Sequence, residues 1–183
     1  RVRAKTMALA DAGTEIHDAL ELHYGAETQA PIEFEFMCLC VSELLYSRTG
    51  ILWNNAITEK SFTDTELGYA GKCDLHAYTT KSPDGDDWVI DYKSKPGNVS
   101  KERGWPNQAE QLAAYAHGLG IPNARTANVF ISRDRSLWGK PEGVSFFEHK
   151  DANAWNRFEQ TLRLWSVTKK YGPYYDSLIK EGR

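Results

Sequence analysis

"GYAGKCDLHAYTTKSPDGDDWVIDYKSK", residues 68–95, consists of two strand-like runs on either side of a segment crowded with turn residues. In the second run Trp88, Val89 and Ile90 are core residues, and Asp91 and Lys93 then follow two positions apart around Tyr92. Side chains on a strand alternate between faces. Asp91 and Lys93 therefore point the same way as Val89, and Ile90 and Tyr92 point the other way. "KSPDGDD", 81–87, carries the Pro, Asp and Gly of a tight connection, so the two runs read as an antiparallel hairpin. If Asp74 pairs with Asp91, the midpoint falls between Ser82 and Pro83, inside that connection.

Two carboxylates set opposite each other on neighbouring strands repel. A lysine on the same face offsets part of this, and a divalent cation offsets more, because hard oxygen donors suit magnesium or manganese. Asp74, Asp91 and Lys93 thus read as a metal site with a cation beside it. Taken alone, Asp-x-Lys on a strand is more often a solvated ion pair. Gly71, just before Asp74, leaves room for backbone or ligand to come close.

Working outward, residues 4–24 repeat Ala8, Ala12, Ile16, Ala19 and Leu20 at helical spacing and can end at Gly25. Residues 31–48 do the same from Pro31, with Phe34, Met37, Cys38, Val41, Leu44 and Leu45. "ILWNNAITEKSF", 51–62, holds one or two strands, with the stronger signal over 56–63. "KPGNVSKERGWPN", 95–107, is a loop, and the following helix, "QAEQLAAYAHGLG", ends at Gly118 or Gly120. "TANVFISR" and "VSFFEH" are short strands, and residues 151–171 make a last amphipathic helix with Trp155, Phe158, Leu162 and Trp165 on one side. This order predicts an α/β fold, a mixed sheet with helices packed on it. The expected organisation is one domain over 1–183: helices over 1–50, the catalytic sheet and its helix over 51–135, and a final strand and helix over 136–183.

The chain's 183 residues and 41% apolar content suffice for a real core. No apolar run approaches the roughly 20 residues of a membrane span, and "RVRAKTMALADAG" lacks a signal peptide's apolar centre. Three cysteines, Cys38, Cys40 and Cys73, argue against a disulfide framework and for a reducing, intracellular compartment, bacterial or phage-infected cytoplasm before an organelle. They read as plain buried thiols. The net charge of −3 does not point to nucleic acid, but Lys93, Lys95, Lys101 and Arg103 against Glu102 alone make the loop after the hairpin locally cationic. Lys95, Lys101 and Arg103 are candidate phosphate contacts. Trp105 is either a stacking platform or core packing.

In the helix after that loop Gln108, Gln111 and Tyr115 share one face. In "AGTEIHDALELHYG", 12–25, His17 and Glu21 are one turn apart, and Gly13 permits close packing. On local grounds His17, like His23, His76, His117 and His149, is an ordinary surface or core histidine.

In order, "GTEIH", Glu59 of "EKSF", "GYAGKCD", "VIDYKSK" and "QLAAY" resemble the PD-(D/E)XK nuclease superfamily, and most of all its RecB-type exonuclease branch, with the CRISPR-associated adaptation nucleases and mitochondrial genome-maintenance exonucleases. The match runs from His17 to Tyr115, about half of the chain. The resemblance implies a restriction-endonuclease-like core with a four- to five-stranded mixed sheet. It implies His17, Asp74, Asp91 and the Tyr92 backbone carbonyl as ligands to one or two Mg2+ or Mn2+ ions, and Lys93 as the catalytic lysine. Gln111 and Tyr115 would lie along DNA, and Glu59 matches a recurrent acid of less defined role. Some relatives carry an iron–sulfur cluster on four cysteines, and this chain has too few, so no cluster is expected. These residues hold no GxxxxGK[ST] loop, so no helicase motor is expected within them.

The expected activity is metal-dependent hydrolysis of DNA, exonucleolytic, on single-stranded or end-processed substrate, leaving a 5′-phosphate and a 3′-hydroxyl. The rivals are an endonuclease and a nucleic-acid-binding module of the same fold without catalysis. DNA is the expected partner, with no membrane. Replication or recombination proteins are further candidate partners.

Overall fold

The computed structural model describes residues 2–25, 30–79 and 86–181. Two helices open the chain, α1 (Val2–Tyr24) and α2 (Ile32–Thr49). The apolar repeat of α2 buries Phe34, Met37, Cys38, Val41 and Leu45. Gly50 ends it in the left-handed conformation, φ 85°, with its N–H donating to the Tyr46 carbonyl, a backbone position that favours glycine.

Three strands follow: β1 (Ile51–Asp64), β2 (Tyr69–Thr79) and β3 (Asp87–Lys95). The expected strand over 56–63 is thus the heart of a longer one, and the register of β1 against β2 shifts between Ile51 and Ala56. β2 and β3 are antiparallel with Leu75 opposite Ile90 and Tyr78 opposite Asp87. Continued by one residue, that register sets Asp74 beside Asp91, as the hairpin arithmetic predicted. The turn between them lies outside the described residues.

α3 (Pro106–Gly118) crosses over to β4 (Arg125–Ser132), which pairs parallel to β3, and β5 (Val144–His149) closes the far side antiparallel. The result is the predicted class, an α/β fold with a five-stranded mixed sheet in the order β1-β2-β3-β4-β5. The one parallel pair is the one joined through a helix, because a parallel neighbour needs a crossover while an antiparallel one needs only a turn.

Each face of the sheet is covered. On one side Ile16, Leu20, Met37, Val41 and Leu45 of α1 and α2 meet Leu75, Ile90, Tyr92, Val129 and Ile131. On the other, Cys73 and Val89 meet Leu112 and Ala116 of α3. The alternation read from β3 therefore holds: Ile90 and Tyr92 face α1 and α2, and Val89 faces α3 along with Asp91 and Lys93. β2 does not alternate cleanly. Cys73 and Leu75 are two apart yet enter opposite cores, so the strand turns its face at Asp74, and Glu59 on the neighbouring β1 has a positive φ of 51°.

The helix expected over 151–171 is α4 (Ala154–Lys169), and a further helix that was not expected, α5 (Pro173–Glu181), follows it. Lys170 and Gly172 have positive φ, 54° and 93°, and Pro173 cannot continue a preceding helix but starts a new one without loss. Among the described residues no helix is long and apolar enough to cross a membrane. The three cysteines are free. Burial pushes the Cys38 thiol up to about 12 and the Cys73 thiol up to about 11, which makes both poor nucleophiles.

Candidate active site

The strand pairing and the covering helices bring four of the predicted residues together. Beyond the Leu75–Ile90 pair the β2–β3 ladder opens, and a side chain takes over: the Tyr92 N–H donates to Asp74 Oδ2 at 2.7 Å. His17 Nδ1, from α1, stands 3.5 Å from the same oxygen, and its ring meets Tyr92 edge-on at 5.8 Å. α1 comes this close because a Cβ on Gly13 would lie only 3.0 Å from Ser94 Oγ on β3. Only the packing of α1 on the sheet places His17 against Asp74, a contact that its local sequence did not announce.

Asp91 is 4% exposed. Its two oxygens accept hydrogen bonds from Lys93 Nζ at 2.9 and 2.7 Å. Oδ2 also accepts from Asn128 Nδ2 at 2.8 Å. Burial, and then the charge of Asp74, push the Asp91 carboxyl up to about 6, against the pull of Lys93. Crowded acids on adjacent strands are thus present as expected, and Lys93 is the cation that compensates Asp91 in this arrangement.

The raised value has a consequence for stability. A carboxyl that holds its proton more tightly folded than unfolded stabilises the fold fully below the unfolded value of 3.8. That contribution is lost as pH climbs through about 6. Between pH of about 4 and about 7.5, the metal-free wild-type chain should lose on the order of 1–3 kcal/mol relative to Asp91→Asn. Paired urea melts across that range check this, and parallel pH curves for the two proteins would remove the raised carboxyl.

α3 lies over the same face. Gln111 Nε2 donates to Tyr115 Oη at 2.7 Å, and burial raises the Tyr115 phenol, with the nearby Asp91 and Asp74 charges adding to it. Gln111 and Tyr115 therefore border the acids as a hydrogen-bonded pair. Gln108 does not join them. It is buried, and its Oε1 accepts the Trp105 N–H at 2.9 Å, which caps the helix start. Gly71 also departs from expectation: the space beside it is filled by the rings of Phe62 and Tyr115, 2.7 and 3.0 Å from where a Cβ would stand.

Glu59 pairs with Lys72. With His17, Glu21, Thr14 and Ser94 these two line an open cleft of about 480 Å³ beside the acids. Trp105 is 63% exposed, so the core-packing alternative for it falls away. Lys101 and Arg103 are exposed on the same loop, Arg103 donating to the Glu102 carbonyl. Lys95 is half-buried at the end of β3, where its carbonyl accepts the Arg133 N–H at 2.8 Å.

Two neighbours of the acids were not singled out from sequence. Asn128 pairs with Asp91 across the parallel β3–β4 ladder, and His149 Nε2 lies 2.7 Å from Asn128 Oδ1. The one available signal was a lone amide in the apolar run "ANVFI". A buried Asn requires partners, but nothing local says which.

Among the described residues no three His, Cys, Asp or Glu side chains meet at one point as a finished cage for a metal ion. Asp74, Asp91 and His17 supply two carboxylates and an imidazole, one carboxylate desolvated and raised first by burial and then by its neighbour; the oxygens are donors for magnesium or manganese, and an imidazole is taken more readily by manganese.

No protein-family model matches this chain, and no curated protein matches it. Among solved structures, that of SSO0001 is similar at 16% identity and a TM-score of 0.37, over 73% of this chain. The chain spans 58% of that neighbour's length. Overlap of that degree leaves the chemistry to be argued from the site.

Proposed function

We propose that this chain is a metal-dependent phosphodiesterase acting on DNA, with exonucleolytic action on single-stranded or processed ends. The observation that carries the reading is the convergence of Asp74, Asp91, Lys93 and His17, from two strands and a helix, beneath the Gln111–Tyr115 pair. A Mg2+ or Mn2+ ion held by Asp74, Asp91, His17 and the Tyr92 carbonyl would supply Lewis-acid polarisation of the phosphate and acidify the attacking water. Lys93, with more of its side chain exposed than Asp91 has, can leave the carboxylate to hold the phosphate's charge or to orient the nucleophile. Gln111 and Tyr115 offer an amide and a phenol to the sugar–phosphate chain, and exposed Lys101, Arg103 and Trp105 offer charge and a stacking surface beyond it. Three free thiols, Cys38 and Cys73 buried and Cys40 half-buried rather than buried as expected, suit a reducing interior.

A second reading is a nucleic-acid-binding module without catalysis. The Lys93–Asp91 pairing favours it, because an ammonium already neutralises the acid that an ion would need.

End-labelled linear DNA and closed circular DNA, each incubated with manganese and then sized, separate these readings. The proposal expects progressive shortening of the linear substrate, an untouched circle, and no cutting by Asp91→Asn. Cut circles would make the enzyme an endonuclease. DNA binding with no cleavage by the wild type would leave the module.

A further inference from the structure

Asn128 is fully buried in the middle of the sheet, and its whole side chain is committed. Nδ2 donates to Asp91 Oδ2 at 2.8 Å and to the Asp91 backbone carbonyl at 3.2 Å. A carbonyl oxygen only accepts, and so does an ionised carboxylate. The amide must therefore turn its NH2 group toward Asp91, which leaves Oδ1 facing His149 Nε2 at 2.7 Å. Oδ1 also only accepts, so Nε2 must carry the ring proton. One chain of hydrogen bonds thus sets both the flip of the amide and the tautomer of the imidazole.

The ring is itself held. Gly104, at the end of the cationic loop, packs so closely that a Cβ there would overlap the His149 ring. Phe147 meets the ring edge-on at 5.1 Å. Burial lowers the His149 imidazole's proton affinity, against the opposing charge of Asp151, the charged group that acts on it. This favours the neutral ring that a single Nε2–H donor requires.

We infer that His149 and Asn128 are positioning residues: the imidazole fixes the Asn128 amide, and the amide grips Asp91 by side chain and backbone together. Among the described residues the polar partners of the Asp91 side chain are Lys93 and Asn128, and His149 reaches Asp91 through Asn128. The arrangement matches the outer partners of metal-site carboxylates, whose loss costs 10- to 100-fold in metal affinity or activity. Its purpose rests on the phosphodiesterase reading, whereas its geometry does not.

The test pairs nitrogen-15 NMR of the His149 ring in the wild-type protein with manganese titration of His149→Phe and His149→Gln. The ring should show a protonated Nε2 and an unprotonated Nδ1. His149→Phe keeps the shape without the donor and should bind manganese at least about 10-fold more weakly. His149→Gln puts an amide N–H near the same place and should recover most of that loss, which a purely packing role would not allow. A ring protonated on Nδ1 overturns the inference, as does a His149→Phe protein with wild-type manganese affinity. If the wild type takes up no manganese, the phosphodiesterase reading fails, and the ring spectrum alone decides the relay: protonated Nε2 upholds it and protonated Nδ1 ends it.

Discussion

Lys93→Ala should fold, bind manganese at least as well as the wild type, and cut DNA at least about 100-fold more slowly. The rate loss is the low end for removal of a group that moves or holds a proton in the transition state. The metal expectation comes from the geometry. Lys93 Nζ contacts both Asp91 oxygens, so taking the ammonium away frees that carboxylate for another cation. It also removes the charge that opposes the rise of the Asp91 carboxyl, so the comparison belongs above neutral pH, where the acid is ionised in both proteins. Lys93→Arg should not rescue. Its charge is kept and its fork can still span the Asp91 oxygens, but a guanidinium does not give up a proton near neutral pH and puts a broad, flat head where the attacking water or phosphate meets a compact ammonium. Single-turnover cleavage beside calorimetric manganese titration gives both numbers. Full activity in Lys93→Ala would remove the lysine from the mechanism, and joint loss of cutting and metal binding would make it a structural counter-ion.

Trp88→Ala should destabilise the protein by roughly 3–5 kcal/mol, the range for emptying a large aromatic site in a core. Trp88 is fully buried at the start of β3. Phe146 meets its ring at 5.8 Å and the Arg125 guanidinium lies 4.2 Å above it. Its indole N–H is buried with no hydrogen-bond partner among the described residues, an arrangement that carries its own desolvation cost. Trp88→Phe keeps much of the apolar surface and deletes the orphaned donor, so it should cost clearly less than Trp88→Ala. Urea denaturation with unchanged slope measures both. Trp88 opens the strand that later presents Asp91 and Lys93, so activity per folded molecule should stay at the wild-type level in Trp88→Phe. A drop there would mean that the strand transmits the core's packing to the acids.

Much of this protein's architecture follows from short-range pattern. The two-residue period of "WVIDYKSK" assigned Val89, Asp91 and Lys93 to one face, and turn chemistry centred near residues 82 and 83 set Asp74 beside Asp91. Both depend only on neighbours in the chain, so the sequence sufficed. The 3.6-residue repeats marked α1, α2 and α3 for the same reason. Other features required the folded sheet. The parallel pairing of β3 with β4 brings Asn128 to Asp91 from 37 positions away, and antiparallel β5 brings His149 to Asn128. The turn of face at Asp74, the swing of His17 onto it, the use of Gln108 as a helix cap and the exposure of Trp105 were decided in the same way. In each case the side chain had several acceptable local roles, and the choice was made by which surface packed against it. Pairings between distant segments are settled by burial and by the need to satisfy every enclosed polar group, and neither quantity exists until the sheet and its helices have come together.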